Sequence, residues 1–566
     1  MKRLALAFLA VLTGTLACRC RKPPFDTDAG VPPVSAAWLE GRIPEEIDAG
    51  TPRTGGVLRV RVQSEPLGLN QVHDQMLDGV VRRYLHGPVY ETLAELDRAT
   101  EPKYVLAPLL ATGWVESGDH LTLTVTLREG VRFHNGEPFS SADVVAVFDT
   151  LMNPQLPTQT RRGYLADLES YQATGPFSVV FRWKRANVSA ARDLLTMVPM
   201  MPRSALAGDF AVAPILRAPL GTGPFKFESW QPKKAITFRR FDGYWGTPPY
   251  VDAIVIRPVA DANAATQLWE AGEFEVMTQI PPRTWRALEN GEPQNMWAQQ
   301  GYNRSAFTDN QYSFIAWNHT KPYFADVRVR RALAMLFPWE SVTKNVDLGL
   351  ETPTTCPYYP PSNGCDPAVV RLPFDPRAAM ALLDEAGWKV TKPAAVREKE
   401  GVPFRFTFMA NANSVRMGKL LPLYQEQLKT AGIEMRIEPA ETATYVTRLR
   451  DHDFDAAALS WATLDVESDN FQTFHSSQIA GGSNYVSYKD ATVDAWLEQI
   501  RVEPNDDARM KLQRQVHRKV YEDQVYLFLT RRPLLDAIAK SVHGLKPSLA
   551  WYDLRKAWLS PPEPRW

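Results

Sequence analysis

The residues able to do chemistry are few and scattered. Asp451-His452-Asp453 is the one tight grouping of acids with a histidine, the types a proton relay needs, and the 9 histidines are otherwise spread through 566 residues. No G-x-S-x-G elbow, H-E-x-x-H helix or phosphate-binding loop occurs. The Asp-His-Asp group precedes an apolar run, Phe454 to Leu459, which places it in a solvated surface turn. Gly221 to Trp230, GTGPFKFESW, is glycine-rich, but no Lys-Ser/Thr follows and no helix opens after it, so these glycines read as structural. Cys356 and Cys365 bracket the loop CPYYPPSNGC without a C-x-x-C pair or clustered histidines, and no metal site is expected. A secreted enzyme therefore has to assemble its dyad from distant residues, and catalysis is not expected.

Those residues must be positioned by more than one core. A chain of this length with 45% hydrophobic residues fills two or three domains. Basic and acidic residues both number 64, and no basic run could neutralise a phosphate backbone, which argues against nucleic acid. Residues 1–17 carry Lys2 and Arg3 ahead of an apolar run from Leu4 to Leu12, an export signal too short to span a bilayer. Thr15-Leu16-Ala17-Cys18 resembles a lipoprotein cleavage site, with Thr where Leu is usual, and makes Cys18 the expected acylation point. Ordinary signal cleavage is the alternative. From Arg19 to Thr54 the chain is rich in Pro, Ala, Gly and Asp with almost no apolar period, as in a solvated tether. In the oxidising compartment that export implies, Cys356 and Cys365 are expected to form a disulfide, worth roughly 2.5 to 3 kcal/mol by loop entropy.

Within the folded part, Leu121, Leu123, Val125 and Leu127 alternate with threonines, the period of a half-buried strand. Asn135-Gly136 makes a turn, and Ser140, Ser141 and Asp143 open a helix whose Val144, Val147, Phe148 and Leu151 recur at helical spacing. Between Val251 and Met277 the order strand, helix, strand is that of a parallel crossover. Asp375-Pro376 starts a helix that stops at Gly387, and a second helix from Val415 to Ala431 feeds a strand, Ile433 to Ile437.

The run Leu127, Arg128, Gly130, Val131, Phe133, His134, Gly136, Pro138, Ala142, Asp143 and Val144 resembles the signature of the family 5 solute-binding proteins, the peptide, dipeptide and nickel receptors of ABC importers. Asp326 to Arg330 is similar to a second family segment. The resemblance covers roughly Gly55 to Arg532. It implies an α/β, two-lobed, type II periplasmic-binding-protein-like fold: lobe I over 55–290 with a subdomain at about 96–209, completed by 526–566, and lobe II over 291–525. The implied function is an extracytoplasmic substrate-binding lipoprotein, a monomer, that closes its lobes around a peptide or peptide-like solute and presents it to an inner-membrane permease. Sensing without transport is the alternative, with a secreted hydrolase behind it, and no cofactor is implied.

By the same resemblance the cleft carries Trp461 and Asp469-Asn470-Phe471. The position of the amine-holding Asp, three after the tryptophan, is Leu464, and Ser468 replaces a proline. An ammonium left there without a partner costs roughly 3 to 5 kcal/mol, a factor of a hundred or more in affinity. Asp465 is the candidate to take over that role. The loop Phe408 to Asn413 lacks the carboxylate-binding arginine of the dipeptide receptors, and Arg416 is the nearest base. Thr278 and Gln279 on the first lobe, and Tyr445, Ser460, Trp461 and Ala462 on the second, align with contact positions of receptors that bind peptide backbone.

Overall fold

The computed structural model describes residues 51–76, 79–100, 104–289, 302–307, 311–359, 363–392, 395–462, 469–545 and 552–561. The signal, the tether through residue 50, Cys18, Leu464, Asp465 and Ser468 lie outside these residues.

Two sheets organise the molecule. The first has seven strands, in the order Tyr302–Phe307, Leu534–Ala539, Val276–Met277, Val57–Val62, Ala253–Pro258, Ala235–Arg240 and Phe225–Gln231. Val57–Val62 is its centre, pairing in parallel with Ala253–Pro258 on one side and Val276–Met277 on the other. The helix Ala262–Glu270 joins those two neighbours, as the strand, helix, strand pattern predicts. A four-stranded antiparallel sheet, Ala111–Glu116, Thr122–Leu127, Ser178–Trp183 and Leu168–Gly175, forms the subdomain. Leu123, Val125 and Leu127 turn inward and the intervening threonines do not. They meet the helix Ser141–Met152, whose Val144, Val147, Phe148 and Leu151 are fully buried. Asp143 fixes the start of that helix by accepting the Ser140 N–H at 2.9 Å. The expected glycine-rich turn is structural: a Cβ on Gly221 would sit 2.0 Å from the Val89 carbonyl oxygen, and one on Gly223 2.5 Å from that of Pro88.

The second sheet has five strands, Glu434–Ala440, Arg405–Asn411, Ala456–Ala462, Gln311–Trp317 and Tyr526–Phe528. Period-two alternation splits Gln311–Trp317 between two cores: Ile315 and Trp317 pack under the helices Val327–Met335 and Val415–Thr430, while Tyr312, Phe314 and Ala316 enter the core on the other face. Cys356 and Cys365 are joined by a disulfide.

The chain crosses between the sheets twice, and the pairings move both boundaries. Tyr302–Phe307 pairs with Leu534–Ala539 in the first sheet, so the first lobe runs on past residue 290. Tyr526–Phe528 pairs with Gln311–Trp317, so the second lobe keeps those residues and the return crossing lies between Phe528 and Leu534. Among the described residues no helix is long and apolar enough to cross a membrane. No group of three or more His, Cys, Asp or Glu among them could hold a metal ion.

Candidate solute cavity

A cavity of about 410 Å³ lies between the lobes, within the usual range for small-molecule sites. Its first-lobe wall comes from turns and short helices rather than strands. Val81–Leu85 buries Val81, Tyr84 and Leu85, which leaves Arg82 at the cavity. The helix Gln159–Tyr164 is anchored at its start by Asp74, whose two carboxylate oxygens each accept a backbone N–H, from Gln159 and Thr160, at 2.9 Å. That helix brings Arg161 and Tyr164 to the wall. Arg555, near the chain's end, completes this side by binding Glu95 and Asp553, each at 2.7 Å.

Glu91 sits in the floor, fully buried, and accepts from Thr222 (2.8 Å), Tyr244 (2.8 Å) and Trp245 (2.9 Å). Burial pushes its carboxyl up to about 7, against the pull of those three donors. His86, also in the wall, is pushed down to about 3, first by burial and then by the charges of Arg161, Arg555 and Arg98.

The second-lobe wall is carried by the strand Ala456–Ala462, which delivers Ser460, Trp461 and Ala462. Trp461 stacks between Phe314, at 6.1 Å, and Tyr485, at 5.8 Å between ring centroids. Gly481, Gly482 and Ser483 close the rim with Arg450. His452 supports that rim: its Nδ1 lies 2.8 Å from the Tyr485 carbonyl oxygen and its Nε2 3.0 Å from that of Ile479. The Asp-His-Asp group thus ties down a loop, and its imidazole is occupied by backbone.

Direct contacts hold the walls together. Gln159 Nε2 donates to the Gly481 carbonyl at 2.9 Å, and Gln472 Nε2 to that of Gly163 at 2.8 Å. The Arg501 guanidinium spans Asp469 of its own lobe, at 2.6 Å, and Asp167 of the other, at 3.3 Å. The lobes are closed on the cavity.

Of the residues expected at the ligand, Ser460, Trp461 and Ala462 line this cavity. The other described ones are placed elsewhere, and Asp465 lies outside the described residues. Tyr445 is buried beneath the strand and donates its hydroxyl to the Ala458 carbonyl. Thr278 is buried, its hydroxyl on the Arg61 carbonyl at 2.7 Å, and Gln279 gives its N–H to the buried Asp536 at 2.9 Å. Asp469 serves the lobe contact through Arg501. Arg416 is the clearest correction: it is bound to Asp347 at 2.9 Å and Glu351 at 2.9 Å, and donates to Thr530 at 3.2 Å beside the return crossing. Two carboxylates there outcompete any ligand for its fork. The cavity arginines, Arg82, Arg98, Arg161, Arg450 and Arg555, went unnoticed. They stand in no motif, and the adjacent pairs Arg82-Arg83 and Arg161-Arg162 are the one local sign of them.

Two α/β lobes joined by two crossings and closed on a cavity define a periplasmic-type solute-binding protein. The chain belongs to the bacterial extracellular solute-binding proteins of family 5, whose profile matches residues 105–482. It is 28% identical over 529 residues to the oligopeptide-binding protein AppA of Bacillus subtilis (strain 168), covering 90% of this chain and 93% of that one. Against the dipeptide-binding protein of Escherichia coli (strain K12) the identity is 25% over 481 residues, 81% of this chain and 86% of the other. The solved structure of the Bacillus subtilis AppA in complex with a nonapeptide superimposes with a TM-score of 0.79 at 26% identity, covering 90% of this chain and all of that one. DppA from Helicobacter pylori, in complex with the peptide STSA, shares the fold, with a TM-score of 0.76 at 22% identity over 90% of this chain and 98% of the other.

Proposed function

We propose that this chain is the extracytoplasmic binding component of an ABC importer, enclosing a peptide or peptide-like solute between its lobes and presenting the closed form to an inner-membrane permease. The observation that carries the reading is the cavity itself: both lobes line it and two crossings join them, so closure buries whatever lies inside. Family membership and the peptide-binding relatives support the ligand class. The opening sequence supports export and acylation of Cys18, with the chain from Arg19 to Thr54 as a spacer from the membrane. Binding, with no chemical step, is the work assigned to it.

Thermal denaturation with pools of short peptides, followed by small-angle scattering, tests this. A bridging solute should raise the midpoint by linkage and keep the particle compact. Turnover of a peptide without stoichiometric binding would overturn the reading in favour of a hydrolase. For the anchor, Cys18→Ala should leave the membrane fraction with its fold intact. Equal retention of both proteins would sink the acylation.

A further inference from the structure

Charge is unevenly divided around the cavity. Among the described residues five arginines line it, Arg82, Arg98, Arg161, Arg450 and Arg555, against two glutamates, Glu91 and Glu95. The acids close by already have partners. Glu91 is held by Thr222, Tyr244 and Trp245, and Glu95 and Asp553 share Arg555. Asp74 spends its oxygens on the backbone of the helix Gln159–Tyr164. Arg161 and Arg450 make no ion pair among the described residues. The Arg161 contact to protein is a long one, 3.4 Å from Nε to the Gln71 carbonyl oxygen, and Arg450 lies beside the Tyr485 hydroxyl.

These two guanidiniums come from opposite lobes. Arginine cannot discharge itself by losing a proton, so closing the lobes draws the Arg161 charge out of water with only the field of Asp74 and Tyr164 to offset it, while Arg450 keeps an exposed face at the rim. Repulsion between like charges also grows as water leaves. A carboxylate brought in by the solute would answer both costs, and its two oxygens match the guanidinium fork. That the charges of Arg161, Arg555 and Arg98 all act on His86 places a common positive field in the cavity. Trp461 and Tyr485 offer aromatic faces to the rest of the molecule.

We propose that the cavity selects an acidic solute, with carboxylates beyond a single C-terminus engaging Arg161 from the first lobe and Arg450 from the second. This rests on the binding-protein reading and names its substrate class. Carboxylates could come from acidic peptides or from a non-peptide polyacid, and the test separates the two.

Calorimetry would compare short peptides built from Ala and Glu with the same lengths built from Ala and Gln, with citrate as a non-peptide polyacid. The proteins are the parent, Arg161→Gln, Arg450→Gln and, as a control away from the cavity, Arg239→Gln. The parent should bind the Glu series at least tenfold more tightly, and each cavity substitution should cut that ratio severalfold while the control keeps it. Arg161→Lys should restore part of the ratio. Citrate binding with the same arginine dependence supports carboxylate selection and moves the source outside peptides. If the parent binds the Gln series as tightly as the Glu series, acidic selection is overturned and the binding-protein reading survives. If the folded parent binds neither series nor citrate, both fall together.

Discussion

Arg416 beside the return crossing and Arg161 in the cavity wall are the same side chain used in opposite ways. Arg416 is buried among Asp347, Glu351 and Thr530, and Glu351 also takes Arg532 at 3.0 Å, so its charge is spent on holding the segment where the chain passes between lobes. Arg161 is half-buried, has a weak backbone contact, and forms no ion pair among the described residues, Asp74 acting on it only at longer range. A matched arginine stabilises the protein; an unmatched one is kept for something that arrives. Proximity in sequence to a known anchoring loop picked out the matched one.

The comparison breaks most visibly in stability. Arg416→Met strands the buried Asp347 carboxylate, while Glu351 keeps Arg532 and Thr530, and should cost about 3 to 5 kcal/mol in urea denaturation of the solute-free protein. Arg161→Gln should change the same quantity by no more than about 0.5 kcal/mol, because no partner is stranded. Equal losses would erase the distinction between the two sites.

Glu91 asks whether the cavity side also affects stability, through protonation. Its folded carboxyl is raised to about 7, above the ordinary value near 4.5, so between those pH values the folded state holds a proton that the unfolded state has released. Stability should therefore fall as pH rises from about 4.5 to 7 and level off above, by on the order of 3 kcal/mol in all. Asp536, also raised to about 7 by burial, contributes with the same sign. Denaturation at a series of pH values should show a shallower slope in Glu91→Gln, with the Asp536 share remaining. An unchanged slope would mean that Glu91 stays ionised in its cage of donors.

The lobe contact should give the smallest effect. Asp167→Asn removes one side of the Arg501 bridge and leaves Asp469 in place. A partly exposed pair of this kind is worth about 0.2 to 1 kcal/mol, so the open fraction should rise by a factor of roughly 1.4 to 5, read from a dye pair across the lobes. A larger opening would make the bridge, rather than the solute, the main holder of the closed form.

Much of the scaffold was legible because its signals are local. Leu123, Val125 and Leu127 alternate, Asp375-Pro376 and Gly387 punctuate a helix, and the strand, helix, strand order around Ala262–Glu270 states its own topology. Boundaries failed where pairing is distant: nothing near Tyr302–Phe307 says that its partner is Leu534–Ala539. The cavity divides the same way. Ser460, Trp461 and Ala462 ride on a regular strand next to a motif, so resemblance reached them. Arg82, Arg161 and Arg555 ride on short turns and helices with no period to read, and only tertiary folding gathers them. Arg416 misled because its two acids, Asp347 and Glu351, are 69 and 65 positions earlier in the chain.

The disulfide loop reaches the return crossing through one side chain. Arg531 donates to the carbonyls of Cys356 and Tyr358, and to that of Gln311 at the start of the second sheet. Its backbone pairs with Thr352. Three separate stretches of chain are thus pinned to the strip about which the lobes turn, and one of them keeps its shape through a bond made only where thiols are oxidised. The stiffness of the pivot is in this way tied to the compartment: a copy kept among reduced thiols would have the same walls and a slacker axle.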